Sequence, residues 1–256
     1  MAPKISQKVT TNLCVVLIIC LKQFPIEYFP IDYSFFGVNT RVSGVAYNLA
    51  KALKTLGDDV RFVSMMGNDF SARYIKGELA EIGISSEYVT NSLKATPSSV
   101  VLYDDSGKRQ IYCDLKDIQE ATLDGGKELY EDCDIVMACN ANFNRGLLRK
   151  AKADNKIIVT DVHVLSDIND EYNKDFMQYA NILFLSDENI KGEYKEFIME
   201  IEKTYKNDII ILGRGSKGVL MYVRNDEFAS YKIGFDGASV GFATEEKVEE
   251  YINKVY

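Results

Sequence analysis

The 256-residue chain contains no tryptophan and a single histidine, His163. A site built from several histidines is therefore excluded, and a lone imidazole is more often a satisfied structural residue than a catalyst. The five cysteines, Cys14, Cys20, Cys113, Cys133 and Cys139, are odd in number, scattered, and never spaced as Cys-x-x-Cys. That pattern reads as buried thiols in a reducing compartment, hence a cytoplasmic protein, rather than a disulfide framework. Positive charge is also in short supply. A net charge of -8 excludes a broad nucleic-acid or anionic-membrane surface, because both need clustered Lys and Arg. It leaves room for a local basic pocket that takes one phosphorylated ligand. The apolar run from Leu13 to Leu21 falls far short of the ~20 residues of a membrane span. KQFPIEYFP follows it without a small-residue cleavage site, so it reads as a buried first strand rather than a signal-peptide core.

What is present is ordinary for a globular protein: 46% hydrophobic and 27% charged residues, enough to bury a substantial core. Val45 to Leu56 places Val45, Leu49, Leu53 and Leu56 on one helical face, and Gly57 stops it. Val60 to Met65 reads as a buried strand and Phe70 to Ile82 as a helix ending at Gly83. Strand-like runs recur at Asp134 to Ala138, Ile157 to Thr160, Ile182 to Leu185 and Asp208 to Leu212. Helical stretches fall at Asn144 to Ala153, Asp170 to Tyr179 and Ile190 to Tyr205. Short apolar strands alternating with amphipathic helices predict βαβ units, a mostly parallel sheet covered on both faces. Two stretches break the rhythm. Tyr28 to Val42 is aromatic and β-prone, and Ser98 to Leu115 reads as a hairpin turning at Asp105-Ser106-Gly107. Together they predict a small additional sheet. No linker, repeat or low-complexity tract divides the chain, so residues 1–256 read as a single domain.

Two segments carry candidate chemistry. In Ser43-Gly44-Val45-Ala46-Tyr47-Asn48, a glycine before a helix lets backbone N–H groups approach a ligand. Asn48, one turn in, can donate to and accept from a hydroxyl; equally, it can be a helix residue facing water. The second is Ile209 to Tyr222, IIILGRGSKGVLMY, a glycine-rich turn after a buried strand. It lacks the Walker A pattern, and a strand rather than a helix follows it, so it is no dinucleotide fingerprint. A nicotinamide-dependent oxidoreductase is disfavoured because no Gly-x-Gly-x-x-Gly opens a helix after an early strand. The plain alternative is a hairpin whose glycines serve the turn.

The order of these pieces resembles a known family. SGVAYNLAKALKTLGDDVRFVSMMGNDFSARYIKGELAEIGI is similar to the first signature region of the ribokinase-like (PfkB) carbohydrate kinases. Gly44, Asn48, Ala50, Leu56, Gly57, Gly67 and Asp69 stand at its motif positions. The likeness continues through Thr160-Asp161-Val162, Leu185-Ser186-Asp187-Glu188, the turn Gly213 to Gly218, and FASYKIGFDGASVGFATEE near the C-terminus. The resemblance implies a three-layer α/β/α sandwich with a mostly parallel central sheet. A small β-sheet lid is implied too, its strands within 28–42 and 98–115. It implies transfer of the ATP γ-phosphoryl group to a hydroxyl of a small sugar, polyol or nucleoside, with Mg²⁺. Carried over, Gly44 and Asn48 would hold substrate hydroxyls, and Asp187 and Glu188 would lie near the phosphates, with Glu188 on the metal. Gly213, Gly215 and Gly218 would line the nucleotide. Family members can pair through the lid; the aromatic run Tyr28 to Phe36 fits a homodimer contact or a substrate cover equally.

The resemblance has gaps. The family's Gly-Ala-Gly-Asp turn, whose helix N–H groups hold the phosphate and whose Asp is the base, has no match. Val223 to Glu227 runs straight into Phe228-Ala229-Ser230, where that segment is expected to lie, and no catalytic base is identifiable. Asp236-Gly237-Ala238-Ser239 is only superficially similar. The Gly and sugar-binding Asp usual after the first strand are missing, Ser43 replaces a Gly, and Asp187 replaces an Asn. Three accounts fit. The sequence as given lacks internal residues, the protein is a shortened, inactive relative that binds a ligand or regulates, or another carboxylate is the base.

Overall fold

The computed structural model describes residues 6–10, 13–123, 125–224 and, for the backbone, 229–231. The chain begins with β1 (Ser6–Thr10), β2 (Cys14–Leu21) and β3 (Val38–Ser43), followed by α1 (Val45–Thr55), β4 (Asp59–Met65) and α2 (Phe70–Glu81). A short β5 (Val89–Thr90) precedes the hairpin of β6 (Ser98–Asp104) and β7 (Arg109–Asp114). The second half alternates: β8 (Ile135–Ala138), α3 (Arg145–Ala153), β9 (Ile157–Val164), α4 (Lys174–Tyr179), β10 (Ile182–Ser186) and α5 (Tyr194–Tyr205). It closes with β11 (Ile209–Gly213), β12 (Val219–Val223) and β13 (Ala229–Tyr231).

These strands make two sheets. The larger has nine strands in the order β13-β12-β11-β10-β9-β8-β1-β4-β5. It is parallel from β11 through to β5, and β12 and β13 add antiparallel strands at one edge. The smaller has four strands in the order β3-β2-β6-β7. The two faces of the larger sheet divide the core. Val136, Ile158, Leu183 and Ile210 point to one side, where α3, α4 and α5 pack through Leu148, Phe176 and Ile198. Val9, Phe62, Met137 and Val159 point to the other, against Ala46, Ala50 and Leu53 of α1 and Ile75 and Leu79 of α2. The alternation is the period-two consequence of a sheet buried on both faces. Fold class is thus a three-layer α/β arrangement with a smaller separate sheet.

The amphipathic periods place α1 and α2 within a residue of their expected ends. The N-terminus corrects the sequence reading. Leu13–Leu21 is not the first strand of the large sheet: Cys14–Leu21 is β2, at the centre of the smaller sheet, paired with β3 and β6. The first strand is the polar-looking Ser6–Thr10, wedged between β4 and β8. Gln7, Lys8 and Thr10 are buried there, so no apolar signal marks the strand. The thiols also differ in part from expectation. All five are free, but only Cys133 and Cys139 are buried, Cys14 and Cys20 are half-buried, and Cys113 is exposed on β7.

Beyond Phe24, residues 26–36 carry no strand, and Tyr28, Tyr33, Phe35 and Phe36 project into solvent, Phe36 fully. Among the described residues no helix is long and apolar enough to cross a membrane. Asp236 to Ser239, like the rest of the C-terminal stretch noted above, lies outside the described residues.

Candidate active site

In an open parallel sheet, ligands gather outside the carboxyl ends of the strands, and two cavities open there. The first, of about 270 Å³, lies between α1 and the sheet, lined by Asn48, Leu49, Met137, Thr160, Asp161 and Phe184 among others. Its wall is mostly apolar, yet two buried oxygens there, Asn48 Oδ1 and Thr160 Oγ1, have no hydrogen-bond partner. A buried acceptor left unmatched costs about 1–3 kcal/mol, so such a pair marks a place where a ligand hydroxyl is welcome. The second, of about 490 Å³, lies beyond β10, lined by Arg109, Asp161, His163, Ser186, Glu188 and Gly213 among others. Asp161 and Phe184 line both.

The candidate residues are positioned by element ends. Gly44 is the N-cap of α1 with φ 130°, a backbone state that disfavours any side chain. Its carbonyl accepts the Asn48 N–H at 3.0 Å, which fixes Asn48 in the first turn. Asp187 follows β10 and donates its N–H to the Gly213 carbonyl at 2.9 Å, tying the ends of β10 and β11 together. Glu188 follows, with its N–H on Ser186 Oγ at 3.3 Å. Its carboxylate pairs with Arg109 of β7 at 3.3 Å. Gly215 and Gly218 have positive φ in a tight turn that joins β11 to β12, closed by Arg214 N–H to the Gly218 carbonyl at 2.8 Å.

Of the residues singled out in the sequence, Asn48 thus faces the first cavity, and Glu188 and Gly213 face the second. Gly44, Asp187, Gly215 and Gly218 line neither; they shape the backbone beside it. Among the described residues no group of three or more His, Cys, Asp or Glu could hold a metal by itself. Beside β10 the second cavity offers the Glu188 carboxylate and the Ser186 hydroxyl, which suits a hard cation shared with phosphates rather than a protein cage.

Two side chains at the site, Arg109 and His163, stand outside every motif drawn from the sequence, and Asp161 lies in the Thr160-Asp161-Val162 match without a role assigned to it. His163 is no buried structural residue. It lies 47% exposed in the second cavity, with φ 56° and Nδ1 3.5 Å from Asp161 Oδ2. The pairing of β9 with β10 slips there: Phe184 faces Asp161 but Ser186 faces Val164, so β9 carries one extra residue. A bulge of this kind re-aims side chains at a strand end. The nearest sequence signal to His163 is the Thr160-Asp161-Val162 match that follows the Ile157 to Thr160 run.

Comparison with known proteins identifies the family and the fold. The family model described as pfkB family carbohydrate kinase matches residues 34–233. Among solved structures, a microbiome-derived acarbose kinase superposes with a TM-score of 0.77 at 21% identity, over 92% of this chain and 79% of that one. The Arabidopsis thaliana ribokinase complexed with ribose and ATP gives 0.69 at 16% identity, over 91% and 78%. A Burkholderia thailandensis nucleoside kinase in complex with inosine gives 0.69 at 14%, over 89% and 76%. A search of curated proteins finds no match.

Proposed function

The chain belongs to the pfkB family of carbohydrate kinases, and on that premise we propose that it phosphorylates a hydroxyl of a small sugar, polyol or nucleoside at the expense of ATP. The observation that carries this reading is the meeting of two unlike cavities at Asp161. One offers unmatched oxygens, Asn48 Oδ1 and Thr160 Oγ1, to a polyhydroxyl compound. The other offers Arg109, Ser186 and Glu188 to a phosphate chain.

Phosphoryl transfer depends on positioning and charge neutralisation more than on covalent chemistry. In this reading Asn48 and Thr160 orient the acceptor, and Arg109 neutralises phosphate charge. Mg²⁺, when bound, would neutralise phosphate charge, and Glu188 is the residue that would hold it after exchanging its Arg109 partner. Gly213 lets the β11 end lie close to the nucleotide, with Gly215 and Gly218 in the adjoining turn. The smaller sheet is the lid, since Arg109 of β7 reaches over to Glu188. The exposed aromatic run from Tyr28 to Phe36 offers a surface through which two copies pair. The free thiols suit a cytoplasmic location.

A second reading is supported by the missing Gly-Ala-Gly-Asp turn: a relative that binds the ligands or regulates without turning over. Following ADP formation with Mg²⁺-ATP and ribose, fructose or inosine separates the two. Acceptor-dependent ADP supports the kinase; nucleotide binding by calorimetry without ADP supports the binding protein.

A further inference from the structure

The sequence contains no segment to supply the family's catalytic carboxylate, yet a transferred hydroxyl must lose its proton. We propose that Asp161 is the proton acceptor, an inference that rests on the kinase reading above. Three observations converge on it. Asp161 is the only carboxylate lining both cavities among the described residues, so it stands where an acceptor hydroxyl on the Asn48 and Thr160 side meets a phosphate on the Glu188 side. The other carboxylate at the site, Glu188, lines only the second cavity, on the phosphate side. Finally, the Asp161 carboxylate is held in place: Oδ1 accepts the His163 N–H at 2.8 Å, leaving Oδ2 beside the imidazole and the cavity.

The bulge in β9 makes this arrangement. The extra residue between Asp161 and Val164, with His163 in left-handed backbone, folds the main-chain N–H back onto the carboxylate. Left-handed backbone at a non-glycine residue is a strained state that clusters at functional sites. Asp161 is 26% exposed, open enough to reach a ligand and to pass a proton to water. In the transfer, the acceptor oxygen bonds to the γ-phosphorus, and the bond from that phosphorus to the β,γ-bridging oxygen breaks. ADP leaves with the electron pair. The hydroxyl proton goes to Asp161 Oδ2 and then to solvent past His163, a positioning residue.

The test uses the full chain with Mg²⁺-ATP and ribose, fructose or inosine. Asp161→Asn keeps an oxygen for the His163 N–H, so the bulge and the melting temperature persist. Its kcat is expected to fall by about 10²–10⁴-fold with both KM values unchanged, and Asp161→Glu is expected to recover part of the rate. A second readout does not depend on turnover. Because His163 is the only histidine, its imidazole NMR signals need no assignment, and ATP with the acceptor should shift them. Wild-type kcat in Asp161→Asn overturns the inference while leaving the kinase reading intact, as do His163 signals unmoved by both ligands. A wild-type chain that binds ATP but phosphorylates none of the acceptors overturns the kinase reading, and this inference with it.

Discussion

Arg109 on β7 and Glu188 beyond β10 are paired at 3.3 Å, joining the smaller sheet to the C-terminal edge of the larger one. Both side chains are more than half exposed, and an exposed pair of this kind contributes about 0–1 kcal/mol to stability. Arg109 is also the only Lys or Arg lining the larger cavity among the described residues. Arg109→Ala is therefore expected to leave the melting temperature nearly unchanged and to weaken ATP binding about tenfold, or about 1.4 kcal/mol. Thermal denaturation and calorimetric titration on the same sample check both halves.

Lys8 makes the stability of the fold depend on pH in an unusual direction. It sits fully buried in β1 with Nζ lacking a hydrogen-bond acceptor, 5.6 Å from the centre of the Tyr130 ring. Burial lowers its pKa to about 7; nearby Cys133 and Glu128 act the other way, and Arg61 lowers it further. Between about 7 and the ordinary lysine value of 10.5, the unfolded chain holds a proton that the folded chain has released. Stability therefore rises with pH across that window, by up to about 1.4 kcal/mol per unit. Below it, Lys8 contributes no slope. Urea denaturation from pH 7 to 9.5 should show the rise, and Lys8→Met should flatten it.

The oxygens of Asp69 hold the start of α2 to the segment that enters β6. Oδ1 caps the helix by accepting the Ala72 N–H at 2.9 Å and also takes the Thr96 hydroxyl at 2.7 Å, while Oδ2 takes the Thr96 N–H at 2.8 Å. Burial acts to raise the carboxyl pKa, but the Thr96 and Ala72 donors outweigh it and hold it below the ordinary value. Its contribution is present above the normal carboxylate range and lost as pH falls through the depressed value. Asp69→Ala is expected to cost about 1–3 kcal/mol, and the loss should shrink in acid when measured by chemical denaturation.

Gly67 stands where nothing larger fits. A Cβ there would lie 2.8 Å from Ala95 Cα and from the Thr96 nitrogen, all backbone atoms. Gly67→Ala must push β4 away from the segment entering β6, so a loss of about 1–3 kcal/mol is expected. A melt of the variant checks it.

The contrast between β1 and β2 shows where sequence legibility ends. The helical period of α1 and α2 was plain because their apolar residues face one core, and the βαβ order of the second half followed. Ser6–Thr10 was missed because a central strand can bury Gln7, Lys8 and Thr10 when neighbouring strands satisfy its backbone. Leu13–Leu21 looked like that strand because apolar length does not say which sheet receives it. At the site, Asn48, Glu188 and Gly213 were legible from motif order. Asp161 stood in the Thr160-Asp161-Val162 match without a role and His163 in none, because the one-residue slip against β10 that turns them into the cavity is a backbone event without a residue signature.

The most direct test of the central claim is a ³¹P NMR time course of the full chain with Mg²⁺-ATP and ribose, fructose or inosine. The account predicts a growing phosphomonoester signal matched by ADP, requiring both the chain and the acceptor. ATP that binds the chain yet stays intact with every acceptor would contradict it.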